Sequence, residues 1–277
     1  MGLRINTNIQ AMSAQRALGL NYQAQNKSLE RLSSGTRINR AGDDAAGLAI
    51  SEKLKANIRS MKQASRNAND GISLIQTAEG AMSEIGNIMI RLRELSIQGS
   101  SDTIGDTERG FIDKEVQKMK EEITRISAST EFNGRHLLDG TENELEIQVG
   151  IKNSPELDRF HLSTTDLKST LDAFGMESIS TMTKQSSQQN LATLDAAINH
   201  LNENRSTLGA FQNRLNSTIN NLQVYTENLS AANSRIRDTD MAEETSEMTK
   251  NSILTQAGVA MLGQANQTPQ AVLKLLG

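Results

Sequence analysis

Residues 194–236 read LDAAINH LNENRST LGAFQNR LNSTINN LQVYTEN LSAANSR I, so that every seventh position is a large aliphatic: Leu194, Leu201, Leu208, Leu215, Leu222, Leu229 and Ile236. A seven-residue repeat keeps one seam facing a partner helix along its whole length. The stretch predicts one helix of about 45 residues, roughly 65–70 Å long at 1.5 Å per residue. The other seam positions are read as Arg205, Gln212, Thr226 and Asn233. Polar groups there are expected to hold register at some cost in stability. A helix of this length suggests assembly more than catalysis.

A second seam lies in the N-terminal half. Leu54, Ile58, Met61, Ala68, Ile72, Ile75 and Met82 follow steps of three and four, with Ser65 and Glu79 read as polar interruptions. The phase is expected to slip near Ile85 and to resume at Met89 and Leu92. This predicts a helix from about Asp43 to about Gln98, ended by Gly99-Ser100-Ser101-Asp102, with Asp43 or Asp44 as N-cap. A third helix is expected from Asp106 to Ser129 on the seam Ile112, Val116, Met119, Ile123 and Ile126. Leu54, Ile58, Ile72 and Ile75, with the seven residues of the heptad series, form the expected core of a helical rod.

The middle of the chain changes character. Leu145, Ile147 and Val149 alternate with Glu144, Glu146 and Gln148, the mark of a half-buried strand. With Asp139-Gly140 as a turn, a β-hairpin is expected near 132–150, at Leu137–Gly150. Asn153-Ser154-Pro155 reads as a loop and 178–190 as a linker. The rod domain is therefore drawn as 43–177 plus 185–236.

The two ends, 1–42 and 237–277, carry apolar residues on short, imperfect periods. Ile5, Ile9, Met12 and Leu18 lie at one end, and Val259, Leu262, Val272, Leu273, Leu275 and Leu276 at the other. The last four could contribute about 6 kcal/mol if buried. Polar-rich ends offset little of their ordering entropy alone. They are expected to be disordered in the monomer and to fold against neighbouring copies as a self-associating core.

Composition narrows the function. Aromatic content is 3% with no Trp, too few rings for the usual ligand pocket. A net charge of −4 and the Arg31–Arg40 run without aromatics argue against nucleic-acid binding. The chain has no Cys, hence no disulfide or thiolate metal site. No apolar run approaches the ~18 residues of a membrane span, and the start lacks a secretory signal. Met1-Gly2 is followed by Asn6 where a myristoylation signal needs Ser or Thr. His136, His161 and His200 have no second His at i+4, and no phosphate-binding glycine loop occurs. No catalytic residue, cofactor site or metal site is expected.

Two blocks resemble a known family. Leu29-Glu30-Arg31-Leu32-Ser33-Ser34-Gly35, Ala41-Gly42-Asp43-Asp44-Ala45-Ala46-Gly47-Leu48-Ala49-Ile50 and Gln63-Ala64-Ser65-Arg66-Asn67-Ala68-Asn69-Asp70-Gly71 resemble bacterial flagellin. So do Asn233-Ser234-Arg235-Ile236-Arg237-Asp238-Thr239-Asp240-Met241-Ala242 and Ala265-Asn266-Gln267-Thr268-Pro269-Gln270-Ala271-Val272-Leu273. Only a short stretch separates the blocks, which resembles a minimal flagellin without large outer domains.

The resemblance implies a mostly α fold: a long antiparallel helical coiled-coil rod with a small β-hairpin region, and terminal helices pairing in the assembled filament. It implies a structural subunit that self-assembles into the helical flagellar filament, secreted through the flagellar type III export apparatus. A secretion chaperone and a filament cap protein are the implied partners. A Toll-like immune receptor is a further one, matching a surface at Arg91, Leu95 and Glu115; recognised members commonly carry Gln where this chain has Ile90. The nearest alternative is a hook–filament junction protein, expected in few copies. An enzyme, with a protease inserted in the middle, is disfavoured by the short middle and the missing HExxH.

Overall fold

The computed structural model describes residues 7–141 and 144–276, with side-chain surroundings through residue 267. It contains α1 (Ile9–Ser34), α2 (Ala45–Gly99), α3 (Asp106–Ser129), β1 (Glu131–Phe132), β2 (Arg135–His136), β3 (Glu144–Gln148), α4 (Pro155–Asp158), β4 (Arg159–Ser163), α5 (Lys184–Arg237) and α6 (Met241–Leu276). The chain divides into two units. One is residues 1–56 with 228–277, and the other is residues 57–227. The fold is mostly helical, as expected.

The larger unit is organised by α2, α3 and α5. The heptad helix runs 54 residues, about 81 Å. It therefore takes in 184–190, half of the stretch expected as linker; Ile179 and Thr181 just before it are 2% and 0% exposed. Leu194, Leu201, Leu208 and Leu215 are buried at 1% exposure or less, while Leu222, Leu229 and Ile236 are only half-buried. Up to Leu208 the buried companions are Ala197 and Asn204, three residues on from each heptad leucine. From Leu215 the companion is Ile219, four residues on. Arg205 and Gln212 thus lie beside the seam and Asn204 and Phe211 take their expected place. Arg205 instead faces Glu79 at 3.7 Å.

The expected phase slip in α2 does not occur. Ile85 is 0% exposed and belongs to one unbroken series: Met61, Ala64, Ala68, Gly71, Ile75, Ala78, Met82, Ile85, Met89 and Leu92. Ala64, Gly71 and Ala78 hold the seam where Ser65 and Glu79 suggested interruptions. Such small side chains let α5 approach closely but contribute little hydropathy signal. Leu54, Ile58 and Ile72 are half-buried and Ile75 fully buried. A Cβ on Gly86 would sit 3.2 Å from Leu201, and one on Gly71 3.4 Å from Leu215, so α2 and α5 run antiparallel. The third helix spans the expected residues, Asp106–Ser129. Its Ile112, Val116 and Ile123 complete the core.

Helix ends are closed by specific groups. The Asp44 carboxylate accepts the Gly47 N–H at 2.8 Å, capping α2. At the far end Arg109, 7% exposed, donates to the Gly99 and Ser101 carbonyls, both at 2.9 Å, and so satisfies the terminus of α2. Lys120 donates to the Glu177 and Ile179 carbonyls, and Asp113 accepts the Thr181 N–H at 2.7 Å. These bonds fasten the chain after β4 onto α3.

The strands depart from expectation in pairing. β3 pairs antiparallel with β4, with Glu146 opposite His161 and Leu145 opposite Leu162. The hairpin is therefore 144–163 rather than 137–150. Its link contains Asn153-Ser154-Pro155 and the single turn α4. A second, smaller hairpin, β1–β2, turns on Asn133 and Gly134, both at positive φ (52° and 78°). That pair of angles is the two-residue turn that favours Asn-Gly.

In the terminal unit α1 and α6 lie antiparallel. Asn8 donates to the Ala265 carbonyl at 2.8 Å, Leu18 packs on Gly258, and Arg31 pairs with Glu244 at 3.3 Å. Both stretches are helical despite their weak hydrophobic period. Their contact is lined by small and polar residues, including buried Ser28, Asn251 and Thr255. Gly35, at φ 68°, ends α1, and Asp240 caps α6 through the Ala242 N–H at 2.8 Å. The arginine-rich stretch joins the two: Thr36 bridges Asp238, Arg37 Nη2 donates to the Ile236 carbonyl, and Arg237 pairs with Glu52.

Candidate functional site

The paired α1 and α6 leave large apolar side chains in solvent. Ile9 is 69% exposed, Met12 57%, Leu20 61%, Ile253 60%, Val259 51% and Met261 66%. Leu18 and Leu262 differ in being half-buried. Ile5 lies outside the described residues, as do the side chains of Val272, Leu273, Leu275 and Leu276. Beside this surface a cavity of about 330 Å³ is lined by Lys27, Arg31, Arg37, Asp240, Glu243 and Glu244. Apolar groups standing in water on two helices that already share a contact form a surface suited to further helices.

At the α1–α2 turn, Asp43 binds Lys27 at 2.8 Å and accepts the Asn39 and Arg40 N–H groups. The Lys27 hydrogen bond and then the backbone donors lower its pKa to about 2. A second exposed surface lies on α2 and α3. Arg91 bonds Glu94 at 2.9 Å and Glu115 at 3.1 Å, and these acids hold its pKa above the ordinary value. Ile90 and Phe111 are exposed on the same two helices. Leu95, expected at this surface, is 1% exposed and belongs to the core. It follows Leu92 by one short step of the α2 seam, so it turns inward.

One cluster has no precedent in the spacing of the sequence. Glu144 and Glu146 on β3 meet His161 on β4, with His161 Nδ1 3.0 Å from Glu144 Oε1 and 3.7 Å from Glu146 Oε1. His161 Nε2 lies 3.2 Å from the Pro155 carbonyl. Register alone brings these residues together. No short-range motif contains them.

Comparison with known proteins decides the family. The model of the bacterial flagellin N-terminal helical region matches residues 5–143, and that of the flagellin C-terminal helical region matches 191–276. The chain belongs to the bacterial flagellin family. It is 51% identical over 272 residues to a flagellin of Halalkalibacterium halodurans, covering 98% of this chain and 99% of that one. It is 45% identical to a flagellin of Bacillus subtilis, over 99% of this chain and all of that one. A flagellar filament 31.3 kDa core protein of Treponema maltophilum is 43% identical over 98% of this chain and 99% of its own length.

Among solved structures, Bacillus cereus flagellin superposes with a TM-score of 0.50 at 30% identity, over 61% of this chain and 94% of that one. A putative flagellar hook-associated protein from Vibrio parahaemolyticus superposes at 0.58 over 71% of this chain and all of that one. Its identity is 11%, so that likeness is one of fold alone. The flagellin chain is a subunit of the flagellar filament, and its short middle makes it a minimal member of the family. The family is a structural one. No helix among the described residues is long and apolar enough to cross a membrane.

Proposed function

We infer that this flagellin polymerises through its terminal segments, 1–42 and 237–277, by the apolar surface of the paired helices α1 and α6 within them. The exposure of Ile9, Met12, Leu20, Ile253, Val259 and Met261 carries the reading. Burying six such side chains between subunits stabilises the contact by at most about 10 kcal/mol before ordering costs. Ile5, Leu18, Leu262, Val272, Leu273, Leu275 and Leu276 extend the same self-associating core. The contact is heterologous and does not close, so it propagates as a helix of subunits. The core of α2, α3 and α5, from Ile75 to Leu215, supplies the stiffness of the rod.

The test is polymerisation of Met12→Asp/Met261→Asp flagellin under a precipitant, viewed by electron microscopy. Far-UV circular dichroism is expected to be unchanged and filaments absent. Normal filaments from this variant overturn the assignment.

The same surface requires cover before assembly, which supports a secretion chaperone on α6, delivery through the flagellar export apparatus, and a cap protein at the growing tip. The assembled location is then outside the cell. Exposed Arg91 and Glu115 support recognition by a Toll-like receptor. An Arg91→Ala protein that activates a receptor reporter as fully as the parent removes that partner.

A further inference from the structure

We propose that Glu144, Glu146 and His161 form a binding site for a divalent metal of the zinc class, which fastens β3 to β4. Pro155 offers only a carbonyl oxygen, so the 3.2 Å contact requires His161 Nε2 to carry the hydrogen. In the neutral ring the Nδ1 lone pair then faces Glu144 Oε1 at 3.0 Å and Glu146 Oε1 at 3.7 Å. With the ring neutral, three acceptor atoms converge with no donor among them, and all lie within 4.8 Å of one another. The arrangement demands a positive centre.

A proton on Nδ1 serves one acceptor, because 3.7 Å is beyond hydrogen-bond reach. A zinc ion serves all three. With bonds of about 2.0–2.1 Å in tetrahedral geometry, ligand atoms stand about 3.3 Å apart, between the two separations found here. Water fills the fourth position.

The surroundings are those of a metal-binding histidine. The distal ring N–H is held by a backbone carbonyl, which fixes the tautomer and the ring plane. Arg159 binds Glu146 Oε2 at 3.0 Å, so it orients that carboxylate with Oε1 toward the cluster. Its charge also weakens the site, and an affinity in the micromolar range is expected. The ligands are 35–52% exposed, which leaves entry open. Two ligands come from β3 and one from β4. A two-stranded hairpin is marginal by itself, and a metal bridging its strands closes it.

The experiment uses the full chain and zinc chloride in a non-chelating buffer near neutral pH. Titration calorimetry is expected to give one zinc per chain, and hydrogen exchange in 144–148 and 159–163 is expected to slow when zinc is added. His161→Ala, at a half-buried position, and Glu144→Gln, at an exposed one, should weaken binding at least about tenfold and remove the slowing. His200→Gln, at the ring packed edge-on to Phe174, should leave both unchanged. Absence of binding at millimolar zinc overturns the proposal. So does binding that survives His161→Ala, or exchange that ignores zinc.

Discussion

Gly71 is one of the points where the β3–β4 hairpin meets α2, one turn on from the Asn67 side chain that donates to the Gln148 carbonyl, and replacing it tests how the hairpin is seated. A Cβ there would lie 2.7 Å from Ile147 Cδ1 and 3.4 Å from both Ile147 Cγ2 and Leu215 Cδ1. The Cδ1 methyl ends a flexible side chain and can swing aside at about 1 kcal/mol. Alanine also removes a mid-helix glycine, worth about 1 kcal/mol. Gly71→Ala is therefore expected to be nearly neutral. Gly71→Val drives two further methyls into Ile147 and Leu215. Overpacking of this kind costs about 1–3 kcal/mol, and the helix gain for valine offsets about half a kcal/mol. The net loss is about 1–2 kcal/mol, a fall in Tm of about 4 °C for a unit of this size.

Ile147→Ala alone, at a half-buried site, costs about 1–2 kcal/mol. It also clears the space that valine needs. The double variant should then be close to Ile147→Ala alone, with a coupling energy of about 1–2 kcal/mol in urea unfolding followed by circular dichroism. Losses that simply add, within about 0.5 kcal/mol, would refute the claim that Ile147 rests on Gly71.

Other perturbations probe the remaining elements. Leu208→Ala, at 0% exposure, should cost about 3–4 kcal/mol, and Leu222→Ala, half-buried on the same heptad series, about 1–2 kcal/mol; equal losses in urea unfolding would contradict the burial gradient along α5. Asp44→Ala should cost about 1 kcal/mol by removing the α2 cap, and Asp44→Ser should restore most of it. The Asp43 carboxyl has a folded pKa of about 2, below its ordinary 3.8, so its stabilisation is fully present above pH ~4 and lost as pH falls toward 2. Asp43→Asn should thus lower Tm at pH 7 and leave it nearly unchanged at pH 2; an equal drop at both pH values would rule out the Lys27 pairing as its source.

The helices were legible where their signal is local. The heptad leucines, the boundaries of α3 and the cap at Asp44 each rest on spacing within a few turns. The seam of α2 was harder to read because Ala64, Gly71 and Ala78 occupy positions that hydropathy marks as weak. Close approach of a neighbouring helix, rather than greasiness, puts them inside. For the same reason α1 and α6 gave a faint period: Ser28, Gly258, Asn251 and Thr255 form much of their contact. Arg205 and Asn204 show the finer limit. They are adjacent in sequence, and only the direction of the partner helix decides which of them is buried.

The three long helices α2, α3 and α5 are written in the sequence, since 3.6 residues per turn turns spacings of three, four and seven into a continuous face. The family also followed from the sequence, through blocks at both ends. Partnership between distant segments came from the three-dimensional fold alone: β4 as the mate of β3 in place of a hairpin at Leu137–Gly150, the inward turn of Leu95, and the meeting of Glu144 and Glu146 with His161. Strand pairing is set by which register buries Leu145, Ile147, Phe160 and Leu162 against the helices. That condition lives in three dimensions and leaves no short-range mark on the chain.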